Sequence, residues 1–363
     1  MSIAILAILL VVLASMTDAT RKTWSSTSGR IEEFRDAREA FESITRRLSQ
    51  ATLNTYWDYN NLSAPTQYIR QSELRFLSGN AATITGTNNT PTHAVFFQAP
   101  LGFVTNTAYS NLHSLLNTWG YCVQFGNDIQ LRPGFINGMA NPPAPKYRFR
   151  LMELMEPSDS LTLYNAEAKA GGNGSYTAAT SGSYTATTWF TTPFLAFSPY
   201  TASTRPVQPL AENIVALIVL PELSPDDQAK GTAAGVPYTN ASLAPTYLYD
   251  STGTNGLYSS SGGPATFPDP NLDPTNQIPP VVQVTMVAVG ESSYNRYQSS
   301  LQSSTPTLAS SLPYPSSLFV SATNYGADLQ TLQAALQARK IDYRVFSSNV
   351  SIKSARWSRS QAN

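Results

Sequence analysis

The chain is nearly without cysteine and histidine: Cys122 stands alone, and His93 and His113 are the only imidazoles among 363 residues. One thiol excludes an intrachain disulfide framework and any zinc site of clustered cysteines. Two histidines exclude most histidine-based metal centres. Charge is scarce as well. Asp, Glu, Lys and Arg make up 13% of the chain, about half the share usual in globular proteins, so neutral polar groups must build the surface. Because 23 basic residues balance 23 acidic ones, no global field attracts nucleic acid or an anionic membrane. Nucleic acid is therefore not an expected partner.

Catalytic signatures are missing too. There is no Gly-x-Ser-x-Gly elbow, no His-Glu-x-x-His pair and no phosphate-binding glycine loop. Cys122 lies in Tyr121 to Phe125, whose alternation reads as a strand, and is expected to be a small buried apolar residue. His93 precedes the apolar run Ala94 to Phe97 and His113 sits within Asn111 to Asn117, and both read as structural. Glu153, Glu156, Asp159 and Glu212 could form a glycosidase-type carboxylate pair only through tertiary proximity. The expectation is a protein that is not an enzyme and uses no cofactor.

What is present begins at the N-terminus. From Met1 to Met16 only Ser2 and Ser15 are polar, and Ile3, Ile5, Leu6, Ile8, Leu9, Leu10, Val11, Val12 and Leu13 dominate the run, so this segment seeks lipid or a partner. As a helix it covers about 24 Å, short of the roughly 30 Å hydrocarbon core of a bilayer. The first basic residue, Arg21, follows the apolar run, whereas a secretory signal places its basic residues before it. No proline or glycine separates the run from what comes next, so one continuous helix is expected.

Its continuation is amphipathic. Trp24, Ile31, Phe34, Ala37, Phe41, Ile44, Leu48 and Ala51 recur at helical spacing. Phe34, Phe41, Ile44 and Leu48 are the residues expected to pack this helix on a sheet. Between them Glu32, Glu33, Asp36, Glu39 and Glu42 alternate with Arg30, Arg35, Arg38, Arg46 and Arg47, giving a mixed-charge face with Glu42 and Arg46 as a well-oriented pair. The spacing predicts an amphipathic helix over 23–55, continuous with an apolar part over 1–22.

A helix that is greasy at its start and amphipathic afterwards resembles the N-terminal rod of the type IV pilin class, including the pseudopilins of type II secretion. The segment Ile31 to Ala51, ending in its arginine-rich turn, is similar to the minor pseudopilin J group. A closer resemblance is to the Verru_Chthon cassette protein C family, carried by Arg47 to Asp58, His93 to Gly102, Tyr147 to Glu153 and Ile341 to Phe346. The basic leader, cleavage glycine, following phenylalanine and glutamate of the pilin class have no counterpart in this chain, so prepilin processing is assigned to none of its residues. An internal methionine at position 1 would account for both the missing motif and the short apolar span.

Beyond the helix, Leu74 to Leu77, Ala94 to Phe97, Tyr121 to Phe125 and Tyr147 to Leu154 have strand length and strand alternation. Asn213 to Leu220, bounded by Pro221, and Val281 to Val289, bounded by Pro279-Pro280 and Gly290, read as central strands. A helix is expected over Ala327 to Ala338, then late strands over Ile341 to Phe346 and Val350 to Trp357. The fold class is α+β and pilin-like: the N-terminal helix lies on an antiparallel sheet within a body over 70–363, which with the amphipathic helix makes a globular domain over 23–363. Long loops rich in Ser, Thr, Gly and Pro are expected near 171–210, 223–277 and 297–317. Asp269, Asn271 and Asp273 alternate as calcium ligands do, but Pro274 and Pro280 occupy the places of the calcium loop's glycine and bidentate glutamate. They are the sole, weak metal candidate.

The pilin resemblance implies a non-catalytic structural subunit held by a single helix in the bacterial inner membrane, with its domain in the periplasm or on an assembled surface filament. Its partners would be membrane lipid and then other pilin-like subunits, and the size of the body favours a minor component. A second reading stays open. Trp189-Phe190, Tyr238, Tyr247, Tyr249 and Tyr258 among small polar residues suit a membrane-anchored adhesin or receptor that binds a glycan or protein through 171–277.

Overall fold

The computed structural model describes residues 16–17, 34–59, 63–66, 68–161, 190, 194, 205–233, 243–252, 276–301 and 305–356. Helix α1 is Arg35–Leu48. Phe34, Ala37, Ala40, Phe41, Ile44 and Leu48 are all buried, as their spacing of three and four requires. Asp36 in the first turn and Arg46 and Arg47 in the last complement the helix dipole. The helix stops at Leu48 instead of continuing to 55. Thr52 donates its backbone N–H to the Gln98 carbonyl at 2.9 Å, so the chain leaves the helix for an isolated β-bridge.

A hairpin of β1, Tyr56–Tyr59, and β2, Tyr68–Gln71, follows. Six antiparallel strands then form the larger sheet: β3 Leu77–Asn80, β4 His93–Pro100, β5 Leu116–Gly126, β6 Arg148–Glu156, β7 Val207–Glu212 and β9 Tyr249–Asp250. Their spatial order is β7-β6-β5-β4-β3-β9. The third sheet contains β8 Ile214–Glu222, β10 Val281–Val289 and β11 Tyr343–Ser351, with β10 in the middle. One residue, Asn213, carries the chain from β7 into β8 at φ 60, a left-handed turn that asparagine tolerates well.

Strand β8 lies across β3 to β6 of the larger sheet. Its edge away from β10 is closed by side chains. The Tyr314 hydroxyl donates to the Val215 carbonyl at 2.7 Å, Thr92 Oγ1 accepts from Leu217 N at 3.0 Å, and His93 Nδ1 accepts from Val219 N at 3.3 Å. An edge strand so covered cannot recruit a foreign strand. Pro221 continues β8 because its carbonyl faces that same outer edge, where Leu243 N donates to it at 2.9 Å, so no ladder bond to β10 is lost.

Several expected loops hold regular structure. Helix α2, Pro225–Ala233, and β9 occupy part of 223–277. Ser224 Oγ accepts from Asp227 N at 3.2 Å, and Pro225 and the Asp226-Asp227 pair occupy the first turn, a standard helix start. Strand β7 begins inside 171–210. Helix α3, Glu291–Ser300, and a turn over Leu308–Ser311 with a Thr307 capping box reduce the loop at 297–317. At the C-terminus helix α4, Tyr325–Ala338, precedes one unbroken strand where two were expected, because β11 pairs residue by residue with all of β10. Helices and antiparallel sheets together make the described residues an α+β mix.

Candidate functional site: the seat of helix α1

Helix α1 rests between the two large sheets, touching β10 and β11 on one side and β4 and β7 on the other. The register puts Val284 and Met286 of β10 on one face with Val219, Leu217 and Phe346. The Phe41 ring meets the Phe346 ring at a centroid distance of 5.8 Å. On the opposite face the Tyr325 hydroxyl of α4 lies 2.7 Å from Thr285 Oγ1, so the three-stranded sheet is covered by a helix on each side.

The far end of α1 is held by a polar clamp that the sequence reading did not anticipate. Val95, Tyr121 and Glu153 form one cross-strand row of the larger sheet, and Phe97, Trp119 and Met155 form the next. Arg47 reaches into this surface. Its Nη1 donates to the Tyr121 hydroxyl at 2.9 Å and to a Glu153 carboxylate oxygen, while the guanidinium carbon sits 4.0 Å from the Trp119 ring centroid. Both members of the ion pair are largely buried, at 19% and 16% side-chain exposure. Burial works against the Arg47 charge, but Tyr121 and Glu153 offset it and hold its pKa above the ordinary arginine value. Burial likewise pushes the Glu153 carboxyl up, with Arg47 opposing, and pushes the Tyr121 phenol well up. The sequence carried one signal of this clamp: Arg47 is one residue from Leu48 of the buried stripe.

The charged face of α1 is arranged otherwise than the sequence suggested. Glu42 accepts from Arg38 Nε at 2.9 Å, and Arg35 Nε lies 3.8 Å from Glu39. The expected Glu42 to Arg46 pair is replaced by Arg38 with Glu42, both well exposed, and such pairs contribute little.

The remaining candidates are separately engaged. Cys122 is fully buried, and burial pushes its thiol well up. His93 is buried, accepts from Val219 at Nδ1 and meets the Phe319 carbonyl at Nε2, 3.1 Å away. This pattern requires the neutral tautomer protonated at Nε2, and burial pushes its pKa down to about 4. His113 is exposed. Glu153 pairs with Arg47, Glu212 with Arg148 and Arg150, and Asp159 accepts from the Thr105 and Asn106 backbone. Glu156 is buried on the face of β6 opposite Glu153. Of the aromatics considered for a recognition surface, Phe190, Tyr247 and Tyr249 belong to the core. Trp189, Tyr238 and Tyr258 lie outside the described residues.

Asp269, Asn271, Asp273 and the apolar segment Ile3 to Leu13 also lie outside them. Among the described residues no group of three or more His, Cys, Asp or Glu is placed to hold a metal ion. Among the same residues no helix is long and apolar enough to cross a membrane. No family model, curated protein or solved structure matches the chain.

Proposed function

We propose that the chain is a pilin-like structural subunit without catalytic function, held in the bacterial inner membrane by its apolar N-terminal segment with its body in the periplasm. It then packs with like subunits, as a minor component of a filament or a type II secretion-like apparatus. The observation that supports this reading is the clamped seat of α1. Ala37, Ala40, Phe41, Ile44 and Leu48 bury one face of the helix and Arg47 ties its last turn to the larger sheet. A helix fastened at that end passes displacement of its upstream part to the whole body. Farther upstream, 22 positions and more before Arg35, the sequence holds Ile3 to Leu13, eleven apolar residues with no polar face. Moving that segment from lipid into a bundle of similar helices exchanges one apolar environment for another, so assembly retains the burial.

Membrane fractionation of two chains tests this. The full chain stays with membranes through a high-salt wash, since ions do not screen apolar insertion. A chain starting at Thr23 is soluble and monomeric, and melts at the temperature of the detergent-extracted full chain. Release of the full chain by salt, or aggregation of the shortened one, contradicts the proposal.

A further inference from the structure

The β1–β2 hairpin, which no expected element covered, displays unusual side chains on one face. Trp57 stands opposite Arg70 and Tyr59 opposite Tyr68. The two tyrosine rings stack at 4.9 Å with 28° between their planes, and the Arg70 guanidinium carbon lies 5.5 Å from the Trp57 ring centroid. Even so, Trp57 is 58% and Tyr68 63% exposed. A row of rings on an exposed two-stranded ribbon leaves apolar area in water for which the fold itself has no use.

Beside this row is a cavity of about 550 Å³ whose wall includes Trp57, Arg70, Asn54, Gln277, Lys353 and Arg356. Arg70 is positioned there. Its Nη1 donates to Gln277 Oε1 at 2.9 Å and to the Arg356 carbonyl at 3.3 Å, and Asn276 Nδ2 donates to the Arg70 carbonyl at 2.7 Å. Among the described residues lining the cavity are three cations, Arg70, Lys353 and Arg356, and no carboxylate. In a chain of zero net charge this is a local excess.

We infer that the hairpin and its adjoining cavity bind an acidic polysaccharide, Trp57 carrying the C–H face of a sugar ring while the three cations take its carboxylate or sulfate. The exposed side-chain amide of Asn54 supplies a donor and an acceptor for hydroxyl groups. Single-stranded nucleic acid also stacks on aromatic rings, but its affinity grows with the number of phosphates neutralised; three cations neutralise few, whereas the Asn54 amide beside them suits the hydroxyl groups of a glycan. This site is separate from the N-terminal helix and stands whether or not the chain assembles through it.

Calorimetric titration of the full chain in detergent tests the inference, with oligogalacturonate, oligomannuronate and chondroitin sulfate as acidic probes and dextran and oligo-dT as comparisons. At least one acidic probe binds, with affinity falling as salt rises, and tighter than dextran. Trp57→Ala weakens it tenfold or more, and Lys353→Gln with Arg356→Gln flattens the salt dependence, while both variants keep the parent melting temperature. The inference is overturned if no acidic probe binds, if dextran binds as well, if oligo-dT binds more tightly, or if the Trp57→Ala chain binds with parental affinity.

Discussion

Arg47 and Tyr121, separated by 74 positions in the chain, meet at 2.9 Å between a guanidinium nitrogen and a phenol oxygen. That contact, with Glu153 beside it on the same row of the sheet, fixes both the height and the rotation of α1 on the body. Apolar packing alone is less selective, since a helix can slide along a greasy face at modest cost, whereas a buried charge has to find its partner.

Replacing Arg47 by Met therefore destabilises the protein by about 1.5–3 kcal/mol, the range for hydrogen bonds to charged groups, because the largely buried Glu153 loses its partner. Glu153→Gln in the same chain recovers part of the loss. Chemical denaturation of the parent, both single variants and the double variant measures the coupling, and purely additive losses would contradict the clamp.

Phe41→Ala costs about 3–5 kcal/mol, as expected for a large core truncation. The ring is 7% exposed and meets Phe346. Glu39→Ala on the exposed face changes stability by at most about 0.5 kcal/mol. Thermal unfolding of the two variants distinguishes a seated helix from a detached one, which would leave both melting temperatures unchanged.

His93 gives the protein an acid sensitivity with a defined window. Its folded pKa of about 4 lies below the ordinary value of 6.5, so at acidic pH the unfolded chain binds the proton that the folded chain refuses. The contribution is intact above pH 6.5 and is lost as pH falls towards 4, amounting to roughly 3 kcal/mol at about 1.4 kcal/mol per unit. His93→Gln has no such group, so its stability loses less than the parent's between pH 6.5 and 4. Parallel slopes for the two proteins would refute this.

Asp250 accepts two hydrogen bonds from Arg75, at 3.0 and 2.6 Å, in a pair with 3% and 0% side-chain exposure. Asp250→Asn leaves the guanidinium buried without its counter-charge and costs about 3–5 kcal/mol. Joint replacement by Met at 75 and Leu at 250 is far milder. Urea midpoints of the three proteins provide the comparison.

The elements legible in the sequence are those whose periodicity is strong and whose partners are local or generic. Val281 to Val289 is such a run, and so is the stripe from Phe34 to Leu48. The Arg47 clamp was not legible, because nothing in one sequence indicates that Tyr121 and Glu153 lie on one row under an arginine. The hairpin at Tyr56–Gln71 falls in the gap between the helix expected to 55 and the body expected from 70, although Trp57 and Tyr59 on one side and Tyr68 and Arg70 on the other keep the two-residue period of strands. In Ser224 to Asp227 the helix start was written out in full and outweighed only by the polar composition around it. Pro221 looked like a strand end because a proline's tolerance within a strand depends on which edge its nitrogen faces, and that is set by the partner strand.

The central claim is that Ile3 to Leu13 contacts lipid and neighbouring subunits, never the body's own core. A photo-crosslinking residue in place of Leu9 in the full chain, activated in the cells that make the protein, tests it most directly. The expected adducts are with lipid and with a second membrane protein that begins with an apolar helix. Adducts confined to the chain's own core, such as β8 or β10, would show that this segment is an internal element of the body and would contradict the account.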